Sequence, residues 1–234
     1  GSEMCIRDRI YSGGGTLTAP AFTLAEVLVT LGIIGVVSAM TVPSLMQNYQ
    51  RQSYAVQLHK FYNELSQSLL RYQTERNAVN LSEAGLNSQD AFDELIESTF
   101  KVVSKCGEDM TPCLPDINEY KKMNGQSGLG MWTPRTNYVL ASGAAISTCY
   151  HPKGEFLAEI YIDTNGRKGP NIVGRDFFSV YIYNNGIVDE YYTSAPLTKE
   201  QRDKNFNDYC INGDGVRWDG CFGKLLNDNW QMTY

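Results

Sequence analysis

Five of the six cysteines, two histidines and one run of oxygen-bearing side chains are the residues of this sequence whose types and spacing could do chemistry. Cys106, Cys113, Cys149, Cys210 and Cys221 contain no C-x-x-C pair, and no zinc-type partnership with histidine is expected, so a thioredoxin-type redox motif and a zinc site are both disfavoured. Disulfides formed in an oxidising compartment fit the pattern better. Short spacing favours Cys106 with Cys113 and Cys210 with Cys221, leaving Cys149 over, while other pairings stay open. The oxygen-bearing run supplies Asp163, Asn165, Asn171 and Asp176, ligand types suited to calcium. Arg167 and Lys168 intrude, and the closing glutamate of an EF-hand loop is absent, so a turn set by Asn-Gly and Gly-Pro is expected and no metal or other cofactor is favoured. Asn212, Asp214 and Asp219, within the Cys210 to Cys221 loop, form a weaker set of the same kind. His59 and His151 belong to no triad or H-E-x-x-H pattern and are expected at the surface. No active site is expected, and the chain reads as a non-enzyme.

Glu26 is the remaining residue whose type demands an explanation. It stands at the head of 20 residues without a charge, 27 to 46, ten of them Val, Leu or Ile. As a helix this run spans about 30 Å, the thickness of a bilayer's hydrocarbon core. Its aliphatic residues favour insertion by about 3 to 6 kcal/mol, whereas a carboxylate at the bilayer centre costs about 2 to 3 kcal/mol and less at the edge. Either Glu26 sits in the wet interface, or it meets a positive charge supplied by a neighbouring subunit. Helical periodicity continues past the apolar run, with Tyr54, Leu58, Phe61, Leu65, Leu69 and Tyr72 at steps of three and four. One helix from Phe22 to about Glu75 would be roughly 80 Å long, apolar all round at first and amphipathic afterwards. Pro43 falls inside it and is expected to kink or locally unwind it. Gly32 and Gly35 permit close approach of neighbouring helices.

The stretch Ala21-Phe22-Thr23-Leu24-Ala25-Glu26-Val27-Leu28-Val29, followed by LGIIGVV and Thr41-Val42-Pro43, resembles the processing and methylation signature of type IV pilins and pseudopilins. The resemblance implies cleavage between Ala21 and Phe22 by a membrane-embedded prepilin peptidase, then methylation of the new amine of Phe22. The family usually has Gly where this chain has Ala21. Glu26 corresponds to the family's fifth mature residue, and Pro43 to its helix-bending proline. The implied logic is that the ammonium of Phe22 in one subunit neutralises Glu26 of its neighbour in a low-dielectric bundle. Residues 1 to 21 are then a leader. Within them Met4-Cys5-Ile6-Arg7-Asp8-Arg9 reads as the translation of a sequencing adaptor, so residues 1 to 10 and Cys5 are set aside.

Behind the anchor the elements needed to hold these residues can be read coarsely. A connecting region from about Asn77 to Arg135 carries one amphipathic helix, with Phe92, Leu95, Ile96 and Phe100 on one face. Strand-like runs follow at 137–142, 144–150, 156–163, 177–183 and 187–193, separated by Gly-containing turns. The expectation is an α+β chain in which an antiparallel sheet covers the helix stripe, as in the pilin fold. The segment Asp163 to Asp176 and the ending Cys221-Phe222-Gly223-Lys224-Leu225-Leu226 with Trp230 to Tyr234 also resemble one subgroup of that family. Residues 22–50 are read as the transmembrane and filament-core half-helix, and 51–234 as the second half plus the globular domain.

Composition fits this layout: 42% hydrophobic residues, 20% charged, 15 Tyr and 21 Gly make an ordinary folded domain. A net charge of −6 provides no basic stripe for phosphates, so no nucleic-acid partner is expected. The resemblance implies a structural subunit of a type IV pilus, a competence pilus or a type II secretion pseudopilus. It would be anchored once in the inner (cytoplasmic) membrane with its domain outside the cytoplasm. Its implied partners are other pilin or pseudopilin subunits, the prepilin peptidase, the inner-membrane assembly platform and membrane lipid. A minor tip subunit acting as adhesin or binding module is the alternative, suggested by the tyrosine-rich sheet; a membrane-anchored enzyme or solute-binding protein is the third.

Overall fold

A computed structural model describes residues 22–131, 135–213 and 217–234. The expected leader, including Ala21, lies outside the described residues, as does Asp214. The chain divides into two units, one ending at Met46 and the other running from Gln47 to Tyr234.

Helix α1 (Leu24–Glu75) has 52 residues and contains Pro43. Hydrogen-bonded helix continues through that proline, so of the expected kink or local unwinding, the unwinding does not occur. Proline removes a single backbone bond, and the turns on either side keep theirs. Residues 22 to 50 are all exposed, and α1 is long and apolar enough there to cross a membrane. Farther along, Leu58, Phe61, Leu65 and Leu69 are buried, the stripe that the periodicity predicts.

The stripe packs on a six-stranded antiparallel sheet whose strands follow one another in chain order. These are β1 (Val102–Gly107), β2 (Thr136–Leu140), β3 (Ala145–Lys153), β4 (Phe156–Asp163), β5 (Phe177–Tyr183) and β6 (Val188–Asp189). The molecule is therefore α+β, with one core joining Leu58, Leu65 and Leu69 of α1 to Ile160, Ile162, Val180 and Ile182 of the sheet. Strand alternation places Ala158, Ile160 and Ile162 on the aliphatic face, and Glu159, Tyr161 and Asp163 on the other. Every residue of β4 and β5 is buried, so that second face is covered too. Helix α2 (Gln89–Thr99) starts at Ser88, whose side chain accepts the Ala91 amide, and turns Phe92, Leu95 and Ile96 inward.

Two parts of the layout differ from the sequence reading. The connecting region contributes β1, whose residues Val102–Gly107 are exposed or half-buried without the alternation that marks a half-buried strand. At the other end, the strand expected at 187–193 shrinks to two residues. There, side chains take over the backbone donors: Glu190 N–H donates to Asp189 Oδ1 at 2.7 Å, Tyr191 N–H to Glu190 Oε1 at 3.0 Å and Tyr192 N–H to the Tyr183 hydroxyl at 2.7 Å. The tail then folds into α3 (Lys199–Asn205), a π-helical turn (Phe206–Ile211) and α4 (Cys221–Asn227). Thr198 and Gln201 form a reciprocal capping box at the start of α3. Gly220 opens α4 at φ +97°, where a Cβ would lie 2.3 Å from the Asn205 carbonyl oxygen.

Candidate functional site

The head of α1 is built by four residues, Thr23-Leu24-Ala25-Glu26. Glu26 N–H donates to Thr23 Oγ1 at 3.2 Å, while Thr23 N–H and the Thr23 hydroxyl both donate to Glu26 Oε2 at 2.8 Å. This is a capping box, and T-x-x-E before an apolar run is its sequence signature, which the reading of Glu26 as an isolated charge passed over. Two otherwise orphaned amides are satisfied this way. Glu26 Oε1 receives no hydrogen bond among the described residues. Phe22 is 85% exposed, and Pro43 lies farther along the same exposed stretch.

Cys106 is bonded to Cys113 and Cys210 to Cys221, with Cys149 a buried free thiol. The second bridge joins the π-helical turn to α4 and lies against the β4–β5 connection. Gly174, at φ +78°, approaches so closely that a Cβ there would lie 2.8 Å from Cys221 Sγ. The loop and the C-terminal tail thus form one packed unit.

In that loop Asp163 and Asp176 are fully buried. The Tyr120 hydroxyl donates to Asp163 Oδ2 at 2.7 Å; Ile172 and Asn171 amides donate to Asp176 at 2.7 and 2.9 Å. Burial drives the Asp163 carboxyl up to about 8, against the Tyr120 bond that lowers it and with Asp176 adding repulsion. Asp176 is raised as well, chiefly by burial, though the Ile172 and Asn171 amides oppose this. Asn165 donates through Nδ2 to the Gly169 carbonyl at 3.1 Å, fixing the turn, and the amide oxygens of Asn165 and Asn171 accept no hydrogen bond among the described residues. Asn212 and Asp219 do not converge: Asn212 bonds the Asn207 carbonyl, and Asp219 pairs with Arg217.

On the polar face of the sheet the structure assembles a cluster that sequence reasoning missed. Cys149 and His151, two apart on β3, share a side, and Cys149 lies opposite Glu159 in the β3–β4 register. Arg135 reaches over them. Its Nη1 donates to Glu159 Oε1 at 2.5 Å, its Nε to Ser147 Oγ at 2.8 Å, and its guanidinium stacks 3.7 Å from the Tyr161 ring centroid. Burial alone would raise the Glu159 carboxyl, yet the bonds from His151 and Arg135 bring it below its ordinary value. Burial pushes the Cys149 thiol up to about 11. His151, 3.5 Å from Glu159 Oε1 and 27% exposed at its side chain, therefore belongs to the polar cluster around Glu159 instead of standing free at the surface. His59 likewise stacks on Trp230, with ring centroids 4.2 Å apart. A signal for the cluster was present: C-x-H followed across a hairpin by E on the same strand parity, legible once the β3–β4 register is known.

A cavity of about 590 Å³ opens above the cluster, walled by Phe156, Tyr181, Tyr191 and Trp218. Of the tyrosines on the sheet, Tyr138, Tyr161 and Tyr183 are core residues, at most 2% exposed. Comparison of the chain with protein-family models, with curated proteins and with solved structures finds no match.

Proposed function

We propose that this chain is a type IV pilin-like subunit, a pilin or pseudopilin, that is cut before Phe22, N-methylated there, and assembled through α1. The observation that carries the reading is the exposed apolar stretch at 22–50, opening on the Thr23–Glu26 capping box with one carboxylate oxygen unbonded among the described residues. A stretch of this length and composition is stable only in lipid or against other apolar helices. In the membrane a subunit would keep Glu26 near the interface, its charge shared with the cap. In a filament the new ammonium at Phe22 of a neighbour would occupy Glu26 Oε1 without displacing Thr23, because a carboxylate accepts at both oxygens. Prepilin peptidase, the assembly platform of the inner membrane and sibling subunits are the partners this implies, with the domain outside the cytoplasm.

The test uses the cap to separate two roles of Glu26. Glu26→Gln keeps the reciprocal cap, since glutamine serves at that position, but removes the charge. Expressed in cells with an active prepilin peptidase, the wild-type chain is expected to begin at Phe22 and carry one methyl, as read by intact mass. The Gln variant should be processed and inserted equally well yet fall at least about tenfold in filament incorporation, the equivalent of about 1.4 kcal/mol. An uncleaved leader would refute the family reading; wild-type incorporation of Glu26→Gln would refute the charge pairing alone.

A further inference from the structure

We propose that Cys149, His151 and Glu159 form a zinc site on the polar face of the sheet, with its fourth position open to the cavity above. The inference stands independently of the assembly reading, since these residues lie on β3 and β4 and not on α1.

Three observations carry it. First, a thiol, an imidazole and a carboxylate each offer one ligand atom, and these atoms all lie within 4.8 Å of one another. Tetrahedral zinc with its usual bond lengths sets its ligands about 3.4 to 3.6 Å apart. The His151 Nε2 to Glu159 Oε1 separation, 3.5 Å, already equals such an edge. Small rotations of Cys149 would close the remaining distances.

Second, the strand ladder sets the frame. Glu159 faces Cys149 across it, and His151 follows Cys149 by two residues, at the point where the β3–β4 register shifts. Arg135 orients Glu159 through the 2.5 Å bond from Nη1 to Oε1, and is itself anchored by Ser147 Oγ and the Ser147 carbonyl at 2.8 and 2.9 Å. A carboxylate retains acceptor capacity after one such bond, so Arg135 and the metal can share it. The guanidinium has a cost: Arg135 with Glu159 is formally neutral, and adding Zn²⁺ while removing the thiol proton brings the group to +1. The site is therefore weaker than the same three ligands without the arginine.

Third, the ligand set selects among metals. Thiolate with imidazole favours zinc over magnesium or calcium, which take oxygen ligands. Three protein ligands and one open position are the pattern of an exchangeable zinc centre, with water as the fourth ligand. His151 and Glu159 both line the cavity, which supplies that water and the entry path. On binding, the Cys149 S–H bond breaks, its proton leaves to solvent, and the sulfur electron pair forms the Zn–S bond. Uptake therefore strengthens as pH rises.

Cobalt(II) is the probe. The detergent-solubilised full chain, in a Cys5→Ser background with both disulfides intact, is stripped with chelator and titrated with cobalt. The expected result is one equivalent bound, a near-ultraviolet thiolate-to-cobalt band, and displacement by one equivalent of zinc. Cys149→Ser should abolish the band, and His151→Ala should weaken zinc binding at least about 100-fold. Cobalt uptake by the wild-type chain without a thiolate band, or no stoichiometric uptake at all, would overturn the proposal. If either variant fails to fold, the wild-type spectrum still decides, because Cys149 is the free cysteine among the described residues.

Discussion

Asp163 shows at the scale of one residue how the fold stores a pH dependence. Its carboxyl is fully buried, and among the described residues no cation is paired with it; burial raises it to about 8 in the folded chain against an ordinary value near 4. The folded state therefore holds a proton that the unfolded state releases above about pH 4. Stability from this group is complete below that point and is lost as pH rises to about 8, by about 5 kcal/mol at the limit before local relaxation. Glu190, raised mainly by burial and then by Asp219, adds a loss of the same sign as pH rises. Urea unfolding at pH 5 and pH 8 should show the decline, and Asp163→Asn should flatten part of it, since a neutral amide replaces the protonated acid and still accepts from Tyr120. An unchanged slope in the Asn variant would show that Asp163 ionises freely. Asp163 itself stood out in the sequence as an oxygen ligand, but its burial did not, because burial depends on Tyr120, 43 positions away in sequence. The same holds for Glu159: a glutamate within a strand is ordinary until Arg135, His151 and Cys149 are brought around it.

Among the elements, legibility followed periodicity. The stripe on α1, the amphipathic α2 and the central strands β4 and β5 were readable because their apolar residues recur at 3.6 or lie in unbroken runs. Short helices α3 and α4 were not, since seven residues give two turns and no sustained period. Their anchors are a capping box, Gly220 and the Cys210–Cys221 bridge, with Arg202 clamping the buried Asp189 at 2.6 Å. That bridge closes a loop of 11 residues, for which chain entropy gives about 3 kcal/mol. The Cys210→Ala, Cys221→Ala double variant should therefore lose about 3 kcal/mol in chemical denaturation. It should also loosen the β4–β5 connection, because Gly174 rests on the sulfurs. Limited proteolysis would read this as new cleavage between residues 164 and 176. A double variant that loses stability without new cleavage there would mean the loop is held by Asp176 and its amide donors alone.

For the whole molecule, the division at Met46 separates what makes the fold from what the fold presents. Residues 22 to 50 bury nothing, while the helix beyond them supplies Leu58, Phe61, Leu65 and Leu69 to the core. Each of those four side chains is worth about 2 to 5 kcal/mol on truncation to alanine, comparable in sum to the whole stability of a domain. Two truncations should consequently behave in opposite ways. A chain starting at residue 51 keeps the complete stripe and sheds the apolar surface; it is expected to be soluble without detergent and to melt cooperatively, within a few degrees of the full chain. A chain starting at residue 77 keeps the sheet but uncovers Ile160, Ile162, Val180 and Ile182, and should aggregate or lose its near-ultraviolet circular dichroism. Membrane retention should follow the first segment alone: the full chain should resist alkaline carbonate extraction, and the chain from residue 51 should not sediment with lipid. If the chain from residue 51 failed to fold, the first half of α1 would have to contribute to the core through contacts that its exposure denies.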